Sequence, residues 1–276
     1  MLIYPHIDPV AFAIGPLTLA GYTLGPLRVH WYGIMYLVGF GLAWLLAMYR
    51  TKREDLVVRK EQVDDLIFYG AMGVVLGARI GYILFYKTAD FMAEPLMIFR
   101  VWEGGMSFHG GFLGVILAMY LYSKKIQQRF FDVMDFIAPM VPVGLFFGRL
   151  GNFIGAELYG RAADVPWAMV FPTDTAQIPR HPSQLYEAGL EGLLTFLILF
   201  VWYSAKPRPR AAVCSLFVLL YGCFRFAVEF FRQPDAHIGY ELFGFLSRGQ
   251  ELCIPMILVG GGVFIWANLQ AKKNKV

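Results

Sequence analysis

Apolar residues in this chain gather into runs of about 20, the length an α-helix needs to cross a hydrocarbon core ~30 Å thick. The runs fall at roughly 28–49, 64–86, 106–123, 131–153, 184–203, 211–231 and 250–270, parted by stretches rich in Lys, Arg, Pro and Gly. They predict an all-α polytopic membrane protein with seven transmembrane helices. Two connections are long. Residues 87–105 carry Pro95 and a Trp102-Glu103-Gly104-Gly105 turn beside Phe91, Leu96, Met97, Ile98 and Phe99, which predicts an arm lying in the membrane interface. Residues 154–183 hold Pro166, Pro172, Pro179 and Pro182 and predict a small extramembrane head. No internal repeat or low-complexity linker is visible, so 1–276 reads as a single integral membrane domain. Gly73, Gly77 and Gly81 recur every four residues on the second helix, a smooth face for close helix packing.

Composition agrees with that solvent. Hydrophobic residues make up 58% and charged ones 16%, and the mean hydropathy is +0.54, which excludes an ordinary soluble surface. A pI near 8.9 would suit a nucleic-acid partner, but the basic residues lie between the apolar runs and not along one face, so none is expected. They read as topology signals. Fourteen of the 24 Lys and Arg lie around 50–60, 124–129, 206–210 and 272–275; seven lie on the opposite side. The positive-inside rule then puts the N terminus outside and the C terminus in the cytoplasm. Residues 1–27 contain no Lys or Arg, so the basic region of a cleavable signal is missing and the N terminus is expected to be retained. Cys214, Cys223 and Cys253 all fall in apolar runs without metal-ligand spacing, and no disulfide is expected.

The remaining three arginines, Arg79, Arg149 and Arg225, sit inside apolar runs. At ~1.5 Å per residue all three reach the outer half of the bilayer, as do His30, Tyr32 and His109. Charges are costly there and call for partners or chemistry. Arg79 either snorkels or pairs with a helix carbonyl. Glu229, four residues after Arg225 on the same helix face, either neutralises an arginine or works at the site. His109 alone would be a packing histidine, but glycines on both sides would let a substrate approach its ring. Arginine's planar fork binds phosphate bidentately, so several at one depth point to a phospholipid headgroup site.

The run Gly148-Arg149-Leu150-Gly151-Asn152-Phe153-Ile154-Gly155-Ala156-Glu157-Leu158-Tyr159-Gly160 resembles the defining motif of bacterial phosphatidylglycerol–prolipoprotein diacylglyceryl transferases. His30-Trp31-Tyr32-Gly33, residues 105–111, Arg180 through Glu187 and residues 229–235 resemble that family too, in order and over essentially the whole chain. One departure is Gly155, where many members carry asparagine. The resemblance implies seven spans, a periplasmic head and residence in the bacterial inner membrane. It implies transfer of an sn-1,2-diacylglyceryl group from phosphatidylglycerol to the lipobox cysteine of a preprolipoprotein, releasing glycerol phosphate. His109 and Arg225 are implied as catalytic and Arg149 with Asn152 as holding the headgroup. Tyr32, Glu157 and Gly160 are implied as further essential positions, and Glu229 is placed with the substrate-binding set. No cofactor or metal is expected; the partners are the lipid, the lipobox peptide and the surrounding membrane.

A thiol of pKa ~8.5 is mostly protonated at neutral pH and must lose its proton to attack well. His109 is the candidate base, with hydroxide or a carboxylate left open. Arg149 and Arg225 are candidates for stabilising the departing phosphate. A competing class is a transporter with an Arg, Glu and His relay, but such a relay should cross both leaflets. The cytoplasmic half offers mainly Asp64, Asp65, Asp132 and Asp135 at helix starts. A third reading is a non-catalytic lipid-binding scaffold.

Overall fold

The structure, a computed structural model, describes residues 2–19, 22–100, 104–233 and 246–273. Trp102, Glu103, Pro234 and Asp235 lie outside them. The chain divides into two compact units, Met1–Ala43 with Ala138–Val276, and Trp44–Ile137.

In the first unit, strand β1 (Val10–Ile14) pairs antiparallel with β4 (Leu27–His30), setting Val10 opposite His30 and Ile14 opposite Leu27. Between them β2 (Leu17–Leu19) pairs with β3 (Tyr22–Leu24). This corrects the expectation of helix from 28 and of an all-α chain. Gly15 and Gly25 adopt φ near +90°, which only glycine takes easily, and turn the chain back on itself before helix can start. Helix therefore begins with α1 (Trp31–Arg50), and His30 ends a strand.

The expected 131–153 helix is broken at residues 138–140 into α5 (Phe130–Ile137) and α6 (Val141–Ile154). Pro139 interrupts it by lacking a donor and disfavouring helix before it; Pro142 is tolerated in the first turn of α6. Next comes α7 (Ser183–Glu187), which continues in wider π-type turns through Ala188–Leu194 and Leu197–Trp202. Then follow α8 (Ala212–Val228) and α9 (Arg248–Lys273). A Cβ on Gly192 would lie 2.7 Å from the Phe146 Cβ, so this glycine is what lets the α7 continuation press against α6.

The second unit holds most of α1's C-terminal turns, α2 (Val63–Tyr86), the short α3 (Thr88–Ala93), a 3₁₀ turn at Pro95–Phe99, α4 (Phe108–Lys125) and α5. The glycine face of α2 packs as expected. A Cβ on Gly77 would lie 2.7 Å from the Gly114 Cα, and one on Gly81 2.5 Å from the Gly110 Cα. Gly110 therefore serves contact between the backbones of α2 and α4.

The chain is mostly helical with little sheet. Among the described residues, Trp31–Arg50, Lys60–Tyr86, Ser183–Ala205 and Arg248–Lys273 are each long and apolar enough to span a membrane, with a fifth if α5 and α6 count as one bent span. Exposed Phe68, Leu76, Leu84, Leu258 and Trp266 suit contact with lipid. Cys214 and Cys253 are buried and Cys223 is exposed.

Candidate functional site

Two carboxylates on one helix organise the arginines of the first unit. Glu187, at the end of α7, and Glu191, one turn later, are fully buried. The Glu187 carboxylate takes Arg149 Nη2 of α6 at 2.7 Å, Arg225 Nη1 of α8 at 3.2 Å, and Arg232 Nη1 beyond α8 at 2.9 Å. Glu191 stands 3.9 Å from both Arg149 and Arg225, too far to accept a hydrogen bond from either. Arg225 spends its other terminal nitrogen on Glu229, at 2.9 Å, confirming the shared i, i+4 face. Arg232 Nε also lies 3.3 Å from the Glu229 carboxylate as an ion-pair contact. Three guanidinium groups thus face three carboxylates, the balance a poorly hydrated site requires.

Glu229 is held from α9 as well. Ser247 caps that helix: its Oγ accepts from Gln250 N at 3.3 Å, while the Gln250 side chain accepts from Ser247 N at 3.1 Å. The same hydroxyl donates to Glu229 Oε1 at 3.0 Å. A Cβ on Gly249 would come within 2.7 Å of the Glu229 carboxyl, so glycine there leaves room for the acid.

On α6, Arg149 Nη1 reaches Asn152 Oδ1 at 3.4 Å, which ties these two expected headgroup residues together. Tyr32 packs onto the same stretch, because a Cβ on Gly151 would sit 3.0 Å from its ring; its hydroxyl lies 3.1 Å from that of Tyr36. Arg149, Asn152, Tyr32, Arg225 and Glu229 are therefore gathered in one unit.

Glu157 and Gly160 take different places. The Glu157 side chain is exposed, while its backbone accepts from Gln184 Nε2 at 2.6 Å. Gly160 is threaded between two backbones, donating its N–H to His181 O at 2.8 Å and bridging Arg232. A Cβ there would lie 2.8 Å from the His181 Cβ and strike Phe231 O, so the position needs glycine for packing. His109 belongs to the second unit, where it is exposed in the first turn of α4.

The connection from α6 to α7 has its own core of Phe153, Ala156, Met169 and Phe171, joined by Tyr4 from the N-terminal segment. Tyr4 OH donates to Phe153 O at 2.6 Å, and burial raises its pKa. Arg180 forks onto Asp174 at 2.6 and 3.1 Å, and this hydrogen-bonded pairing holds the Asp174 carboxyl below the usual range. Burial lowers the pKa of His181, whose Nδ1 lies 3.0 Å from Tyr186 OH. Arg180, His181 and Tyr186 of the sequence motif thus brace the connection next to Glu187. Among the described residues, no group of three His, Cys, Asp or Glu is placed to hold a metal.

Glu187 and Glu191 were missed as site residues from sequence. The available signal was two carboxylates at i, i+4 in the apolar run 184–203, where a buried charge calls for a partner.

Comparison with known proteins follows the same motifs. Residues 18–266 match the family model described as prolipoprotein diacylglyceryl transferase. The chain is 60% identical over 267 residues to the phosphatidylglycerol–prolipoprotein diacylglyceryl transferase of Teredinibacter turnerae, covering 97% of this chain and 93% of that one. A protein of the same name from Coxiella burnetii is 56% identical, with 97% and 98% covered. Another from Pseudomonas putida is 57% identical, with 96% of each covered.

Proposed function

The chain belongs to the prolipoprotein diacylglyceryl transferase family, and from that premise we propose how its residues carry out the transfer. The substrates are phosphatidylglycerol and the lipobox cysteine of a preprolipoprotein, and the product is a thioether-linked diacylglyceryl protein. The chain works as one integral membrane domain of the bacterial inner membrane. It spans seven times, with its N terminus and the 154–183 head in the periplasm, the 87–105 arm in the interface and the C terminus in the cytoplasm.

The observation that carries the site assignment is the convergence of Arg149, Arg225 and Arg232 on Glu187. Carboxylates hold the guanidinium planes in place before substrate arrives, so little reorganisation is needed when a phosphate displaces part of that pairing. Arg149, with Asn152, meets the headgroup; Arg225 faces the phosphate ester oxygen as it leaves. Tyr32 lines the same stretch of α6. Glu157 and Gly160 support the site by holding the backbone after α6, and Glu229 sets the angle of Arg225.

His109 takes the proton from the cysteine thiol. The sulfur electron pair then forms a bond to C3 of the diacylglyceryl group while the C3–O bond breaks. That electron pair leaves with glycerol phosphate, whose new charge the arginines stabilise. No cofactor enters this scheme.

Lysine variants test the arginine roles. A point ammonium cannot reproduce the bidentate fork, so Arg149→Lys and Arg225→Lys each lower the transfer rate at least roughly tenfold, equivalent to ~1.4 kcal/mol. Initial rates with phosphatidylglycerol and a lipobox peptide provide the measurement. Near-wild-type rates for both variants would remove the headgroup role.

A further inference from the structure

Arg79 of α2 is buried and pairs with no carboxylate among the described residues. Its donors meet main-chain carbonyls instead. Nε reaches Ile98 O at 3.2 Å; Nη1 reaches Gly104 O at 2.5 Å and Gly105 O at 3.3 Å; Nη2 reaches Arg100 O at 3.1 Å and also Met97 O. A guanidinium carries five N–H donors in a fixed plane. All are matched by the carbonyls of Met97, Ile98, Arg100, Gly104 and Gly105. Of the two readings the sequence left, carbonyl pairing is the one found: Met97 and Ile98 belong to the 3₁₀ turn Pro95–Phe99, and Arg100, Gly104 and Gly105 add carbonyls beyond it, all clamped by this one side chain.

The clamp sits immediately before α4. Gly104 and Gly105 both have φ of +80°, a flexible turn that needs an external constraint to hold one shape. Tyr82, less than one turn from Arg79, supplies part of it. Its ring centre is 5.9 Å from the guanidinium carbon, and a Cβ on Gly105 would overlap the ring. Two residues later Ser107 N donates to Ala78 O at 2.9 Å, and Ser107 Oγ caps α4 by accepting from Gly110 N at 3.2 Å. The start of α4, two residues from His109, is thus fastened to α2 through the neighbours Ala78 and Arg79.

We propose that Arg79 is a positioning residue for diacylglyceryl transfer: by clamping residues 97–100 and 104–105 it sets the direction in which α4 presents His109. The proposal rests on the reading of His109 as the group that takes the thiol proton. A general base displaced by even about 1 Å loses roughly a hundredfold in rate, so the clamp acts on turnover more than on binding.

The test uses the full chain in phosphatidylglycerol vesicles with a lipobox peptide. Arg79→Gln lowers kcat roughly tenfold to a hundredfold, with KM for the peptide changed by no more than about twofold. Arg79→Lys, which keeps the charge but has three donors, recovers only part of the loss. A nitroxide on a cysteine placed at Leu96, with Cys214, Cys223 and Cys253 replaced by serine, becomes more mobile in both variants.

The deciding measurement is a double-mutant cycle. Adding Arg79→Gln to His109→Gln costs less than about twofold beyond His109→Gln alone, because the histidine it positions is already gone. Losses that multiply would overturn the proposal. So would a normal kcat for Arg79→Gln, or a reduced kcat with an immobile label. If Arg79→Gln gives no folded protein, Arg79→Lys enters the same cycle under the same criteria. A single His109→Gln variant as fast as wild type instead overturns the reading of His109, and the proposal falls with it.

Discussion

Replacing His109 with glutamine lowers thioether formation by about 10² to 10⁴, the contribution of a well-placed general base. Glutamine keeps the size and some hydrogen bonding of the imidazole but has no proton affinity near neutrality, so peptide and lipid binding change little. His109 is exposed in the first turn of α4, where an incoming thiol can reach it. The pH profile separates base from scaffold. If loss of the thiol proton limits the variant, its rate climbs toward the free thiol pKa of ~8.5, where thiolate forms without help. A low rate that stays flat with pH assigns His109 to positioning and makes hydroxide or Glu229 the next base to test. An undiminished rate removes His109 from the chemistry.

Glu187→Ala destabilises the protein by about 3–5 kcal/mol, the usual cost of removing one partner from a buried ion pair. Three arginines share this carboxylate. Without it Arg149 is left with Asn152 and the more distant Glu191, and Arg225 and Arg232 compete for Glu229. Glu187→Gln keeps the volume and two acceptor lone pairs, so it unfolds later than the alanine variant but earlier than wild type. Thermal unfolding of the three proteins in one detergent shows the order. Equal midpoints for alanine variant and wild type would mean that Glu187 does not hold the arginines.

Much of this arrangement was legible in the amino-acid sequence, for reasons the structure makes plain. A membrane helix must be apolar along its length, so each of the seven apolar windows contains helix. A charged residue inside such a window needs a partner, so Arg149 and Arg225 were marked correctly as convergent. Arg79 stood out for the same reason, and pairing with carbonyls was one of its two readings; which carbonyls, those of Met97, Ile98, Arg100, Gly104 and Gly105, carries no side-chain signature. Glu187 and Glu191 were overlooked because the only carboxylate weighed against the arginines was Glu229, on the same helix as Arg225. Gly110 and Gly160 lie against backbones packed too closely for a Cβ, a constraint that arises only once the chain is folded and leaves no signature of its own in the sequence. Of the strands before α1 only the end of β4, residues 28–30, was absorbed into an apolar window, and the strands ahead of it were given no structure; the Gly15 and Gly25 turns were the available warning.

The central claim is that this chain moves a diacylglyceryl group from phosphatidylglycerol to a cysteine thiol. Purified protein, phosphatidylglycerol and a lipobox peptide should yield a peptide whose mass rises by one diacylglyceryl group on the cysteine, with one glycerol phosphate released per adduct. Folded protein that binds both substrates yet forms neither product would contradict the account and favour the lipid-binding scaffold.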